Sequence, residues 1–206
     1  MDDPDRHRAV TAPAALGFRA HTGWAALIAV GGPASAPGFL LRRRIVLCAG
    51  KLPEAAEVYH HAAEVPLAKA EELVRRAAAA ARERARAGIA SATAELAAAG
   101  YQVVAAGLVT ASGRPLPELA TIVRSHPMIH TAEGALYRQA LAEACRVPVT
   151  EVPQKTLSAQ AAARLRLAGA ALDAQLAEAG RSAGRPWGKD EKESMLVAWL
   201  ALAGSA

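Results

Sequence analysis

The chain has 206 residues, 52% of them hydrophobic and only 4% aromatic. That length fits one domain whose core is built from Ala, Leu and Val. Its net charge of +5 favours anionic partners mildly. No run approaches the ~20 apolar residues of a membrane span, and two distant cysteines, Cys48 and Cys145, do not make a disulfide scaffold; both fit a reduced, cytoplasmic protein.

Residues 1–13, opening MDDPDRHRAV, read as a disordered, charged tail without the apolar segment of a secretory signal. A single domain is expected over 14–206. Three strand-like runs follow, at 15–20, 24–30 and 39–47, the last two joined by the Gly/Pro-rich loop GGPASAPG. In the third, Phe39, Leu41, Arg43, Ile45 and Leu47 share one face, as in a half-buried antiparallel strand. An Ala-rich helix runs from about 68 to a stop at Gly100, with Gly88 as a candidate break. YQVVAAGLVTA reads as a buried strand, 116–124 as a short helix and SHPMIH as a loop. TAEGALYRQALAEAC is a helix capped by Thr131, and VPVTEVP a short strand; helices over 158–179 and 190–203 close the chain. Three hairpin-linked strands followed by strands alternating with helices predict an α/β domain. Its mixed sheet of five strands is antiparallel at first and parallel after, with helices on both faces.

This element order resembles that of the ribonuclease H-like fold, and most closely its Holliday-junction-resolvase branch. LGFRAHTGWAALIAV is similar to the opening strand, turn and second strand of those nucleases. GKDEKESMLVAWLAL is similar to their closing helix, with acids just before an Ala/Leu-rich run. The resemblance implies nucleic acid as partner and carboxylates that hold two metal ions around a phosphodiester. The sequence departs from that pattern. The end of the first strand, Phe18-Arg19-Ala20-His21, has no acid, and the stretch 101–110 has no Asp or Glu. Asp190 and Glu193 alone stand where the family has its last acids. The resemblance therefore argues for the fold and for altered or absent two-metal nuclease activity.

In that topology five of the six histidines fall at the carboxyl edge of the sheet, where open α/β sheets place ligands. His21 ends the first strand; His60, His61 and Glu64 follow the third; His126 and His130 follow the fourth, and Glu133 begins the next helix. Glu151, Gln154 and Lys155 lie at or beyond the fifth. One pocket gathering His21, His60 or His61, Glu64, His126, His130 and Glu133 is expected. Three uses of it are open: one divalent metal ion on imidazoles and carboxylates, a histidine general base, or a phosphate held by His21, Arg19 and Lys155. The metal reading takes His60, His61, Glu64 and His126 as ligands. A catalytic reading takes His21, His130, Glu133, Asp190 and Glu193. Arg19 favours the phosphate, since a cation beside a metal ion is costly. Two broader alternatives stay open, a small hydrolase built on this edge and a scaffold without a site; a homo-oligomer is compatible with either. Arg75, Arg82 and Arg86 form a helical stripe, but acids interrupt it and no aromatics accompany it, so it reads as a solvated face. No P-loop, dinucleotide fingerprint, nucleophile elbow or C-x-x-C pair is present.

Overall fold

The computed structural model describes residues 11–50, 54–111 and 115–205. Five strands, β1 (Ala12–His21), β2 (Trp24–Gly31), β3 (Gly38–Val46), β4 (Tyr101–Thr110) and β5 (Val149–Pro153), form one sheet in the order β3-β2-β1-β4-β5. The first three pair antiparallel, while β4 and β5 join parallel to β1. The mixed sheet read from the sequence is the observed one. Most of the expected tail lies outside the described residues, but its end does not: Ala12 and Pro13 belong to β1 and pair with Tyr101 and Gln102. The β1–β2 hairpin turns at Thr22-Gly23, where Gly23 holds φ 80°, a conformation that costs glycine nothing.

Seven helices are described: α1 (Val58–Ala63), α2 (Leu67–Ala98), α3 (Leu119–Ile122), α4 (His126–Ala144), α5 (Leu157–Leu165), α6 (Gly169–Ala183) and α7 (Lys189–Ala203). The period-2 alternation of β1 sorts them onto two faces. Leu16, Phe18 and Ala20 point into a core shared with Ala85 and Ile89 of α2 and Leu136 and Tyr137 of α4. Ala15 points the other way, into a core shared with Leu157 of α5, Leu172 of α6 and the buried run 195–202 of α7. Arg19 and His21 have the parity of Ala15 and so face α7. Among the described residues no helix is long and apolar enough to cross a membrane.

Two glycines set the depth of α7. Gly17 and Gly107 are partners across the β1–β4 pairing. A Cβ on Gly17 would lie 1.9 Å from the Ser194 carbonyl oxygen, and one on Gly107 2.2 Å from that of Val197. The helix backbone therefore rests directly on the two central strands. This seats the start of α7, with Asp190 and Glu193, at the end of β1.

Several elements differ from expectation. SHPMIH is not a loop: α4 begins at His126, with Ser125 as N-cap and Pro127 in the first turn, where its missing N–H and fixed φ do no harm. Thr131 is no cap; its hydroxyl donates to the Pro127 carbonyl at 2.9 Å within the helix. Glu133 accordingly sits two turns inside α4 rather than at its start. Gly88 does not break α2 but admits Ile45 of β3, whose Cγ2 would be 2.8 Å from a Cβ there. The helix expected over 158–179 is two, divided after Arg166, which takes the left-handed φ of 54°. His60 and His61 lie on the separate short α1 rather than at the start of the long helix. Both cysteines are free; burial pushes the Cys48 thiol up and that of Cys145 up to about 11, so neither is a reactive thiolate at neutral pH.

Candidate functional site

The end of β1, where the sequence has no acid, carries an internal cation. Arg19 Nε lies 2.9 Å from Glu193 Oε2, an ion-pair contact with both side chains mostly shielded (19% and 14% exposed). The Arg19 guanidinium also donates to Gln154 Oε1 at 3.2 Å. The Gln154 amide in turn donates to both Glu193 oxygens, at 2.8 and 3.1 Å. Strand β1, the turn after β5 and helix α7 each supply one member of this closed triangle. Lys189 adds a weaker ion pair to Glu193 at 3.8 Å. One turn along, His21 Nε2 meets Asp190 Oδ2 at 3.0 Å. The His21 ring stacks on Trp24 at 4.3 Å between centroids, and Arg44 of β3 covers Trp24 at 3.8 Å. Glu193 and Asp190 are thus each occupied by a side chain of the same molecule.

A second cluster lies on the opposite face of the sheet. His126 and His130 are four residues apart on α4 and share a helix face. His60 approaches from α1, with ring centroids 5.5 and 4.8 Å from those of His126 and His130, which are 4.5 Å apart. One ring nitrogen from each of the three lies within 4.8 Å of the others. Beneath them Glu133 is only 2% exposed. Its Oε1 sits 2.9 Å from His60 Nδ1 and accepts the His60 backbone N–H at 3.4 Å, while Oε2 is 4.0 Å from His130 Nδ1. Its charge, after burial, helps push the nearby Tyr59 hydroxyl above its ordinary pKa.

The single pocket expected from the sequence is therefore two sites. His60, His126, His130 and Glu133 come together, and His130 rather than His61 or Glu64 completes the histidine group. His61 and Glu64 are exposed and lie outside it. His21 does not join them, because the parity of β1 turns it toward α7 and Asp190. Lys155 is exposed beyond β5, and Arg19 is bound by Gln154 and Glu193 instead of joining Lys155 around an anion.

The sequence reading missed Arg138, which nothing in a one-dimensional pattern sets apart on an amphipathic helix. It lines an open cleft of about 580 Å³ with Thr110, His130 and Glu151 at the carboxyl edge of β4 and β5. Burial, then the nearby Arg19 charge, press its guanidinium pKa down, with Glu151 opposing. Two guanidiniums therefore feel one another across the end of the central strands. The sequence places Gln154 at this edge without revealing the bridging part it plays.

No protein-family model matches the chain, and no curated protein matches it. Among solved structures it is similar to Thermus thermophilus RuvC in complex with Holliday junction substrate. The TM-score is 0.52 at 10% identity, with 90% of this chain and 90% of that chain covered. A second Thermus thermophilus RuvC structure aligns over 90% of this chain and 91% of its own, at TM-score 0.47 and 14% identity. The fold is ribonuclease H-like, of the kind seen in RuvC.

Proposed function

We propose that this protein binds nucleic acid on a ribonuclease H-like fold and does not cleave it by the two-metal route. The observation that carries the reading is Arg19, standing at the strand-end position of the family's first acid and locked there by Glu193 and Gln154. Two-metal cleavage needs carboxylates converging on ions that clamp the attacking and leaving oxygens. Here Arg19 stands at the end of β1, β4 carries no acid, and Glu193 is paired with that guanidinium. A divalent ion would have to displace Arg19 from Glu193 and His21 from Asp190 to reach the two carboxylates there.

Anion binding has donors of its own at this edge. Arg138 lines the open cleft at the carboxyl ends of β4 and β5, and Lys155 and Lys189 are exposed. The net charge of +5 has the same sign, and the similar RuvC structure holds a Holliday junction. Stacking on Trp24 plays no part, because His21 and Arg44 already cover its ring. Recognition through phosphates predicts that affinity falls steeply with salt, at close to one power of salt concentration per phosphate contacted. Anisotropy of a labelled four-way DNA junction, titrated at several salt concentrations, measures this. Arg138→Ala is expected to weaken binding and make the salt slope shallower by about one contact. An affinity that ignores salt, or no binding to junction, duplex or single strand, contradicts the reading.

A further inference from the structure

The histidine cluster on the other face has no part in that reading. We infer that His60, His126 and His130 form a binding site for one zinc ion, with Glu133 as the buried carboxylate that orients it. Three imidazoles with a fourth position left to water form a common zinc donor set. A ligating histidine characteristically donates its second ring N–H to a carboxylate, which fixes the tautomer and aims the free nitrogen at the ion. Glu133 stands in that relation to His60: with Nδ1 committed to the carboxylate at 2.9 Å, Nε2 is left to coordinate. The other carboxylate oxygen faces His130.

Two features separate this from a set of packing histidines. A buried carboxylate needs one cationic or donor partner, and His60 supplies it at 2.9 Å, with His130 at 4.0 Å; His126 makes no ion pair with Glu133 and yet converges on the same point. His126 and His130 are also exposed, His130 with 58% of its side chain accessible, so neither is there to fill the core. A tetrahedral ion with bonds of about 2.0–2.1 Å sets its nitrogens roughly 3.4 Å apart. The present spread of up to 4.8 Å has to narrow on binding, and His126 and His130, being exposed, are the side chains with room to move. Since His130 also lines the Arg138 cleft, an ion held here borders that cleft, and its open position is accessible to solvent.

The test is equilibrium dialysis of the full chain, with any affinity tag removed, against zinc, with metal analysis, and titration with Co²⁺ read in the visible spectrum. One ion per chain and tetrahedral Co²⁺ bands are expected. His126→Ala and His130→Ala, both at exposed positions, should each weaken binding at least about tenfold with the melting temperature nearly unchanged. Glu133→Gln should weaken it about 10–100-fold. His61→Ala, beside the site but outside it, should bind as the parent does. Stoichiometry far below one, or His126→Ala binding zinc like the parent, overturns the proposal. The two alanine variants leave the core intact, so they decide the matter even if Glu133→Gln fails to fold.

Discussion

Gly107→Ala is expected to cost at least about 3 kcal/mol or to prevent folding, and Gly17→Ala to do the same. Overpacking usually costs about 1–3 kcal/mol because side chains can shift aside. Here the obstacle is backbone: the added methyl of Gly107 would meet the Val197 carbonyl carbon and oxygen at 2.6 and 2.2 Å, and that of Gly17 the Ser194 oxygen at 1.9 Å. Relief requires α7 to lift off β1 and β4, and α7 contributes more of the second core than any other element, including the fully buried Trp199 and Met195. Gly169→Ala is the control. It lies at the start of α6 with nothing within 4 Å of the new methyl, and should be neutral or stabilising by a few tenths of a kcal/mol. Urea unfolding followed by circular dichroism separates the three. A Gly107→Ala protein as stable as the parent would show that α7 does not rest on the backbone of β4.

Removing the Arg19 cation is the second large effect. Arg19→Met keeps the length of the side chain but leaves Glu193 shielded from water with only Gln154 and the distant, exposed Lys189 as partners. Breaking a buried pair costs about 3–5 kcal/mol; the residual exposure of both groups and the Gln154 hydrogen bonds reduce the expectation to about 2–3 kcal/mol. Glu193→Gln, which strands the guanidinium, should cost a similar amount. The double variant Arg19→Met/Glu193→Gln should cost at least about 1 kcal/mol less than the sum of the singles, the coupling expected of side chains in one network. Additive losses would show that the two side chains do not act as a pair.

The strand order was legible because its signals are local: a tight bend over Ala20–Gly23, a Gly/Pro-rich loop, and apolar runs of strand length. What failed was punctuation and sidedness. Pro127 reads as a breaker, yet in the first turn of a helix it is harmless, so the H-x-x-x-H pair reads as a loop when it lies on α4. Arg166 ends α5 in a left-handed conformation with no glycine or proline to announce it. The division of the histidines between two faces depends on which side of the sheet each helix covers, a tertiary fact. The parity of β1, with Arg19 and His21 opposite Leu16, Phe18 and Ala20, was already written in the sequence. The bridge from Gln154 to Arg19 spans 135 positions and left no pattern to read.

The proposed function has an internal Arg19–Glu193 pair at the strand end in place of metal-binding acids. The most direct test is incubation of a labelled four-way junction with excess protein and millimolar Mg²⁺ or Mn²⁺, with complex formation and strand cleavage read from the same samples. The account predicts a salt-sensitive complex with the DNA strands intact in both metals. Strand cleavage that requires the metal and disappears in Glu193→Gln would contradict it, because Glu193 would then be holding a catalytic ion in place of Arg19.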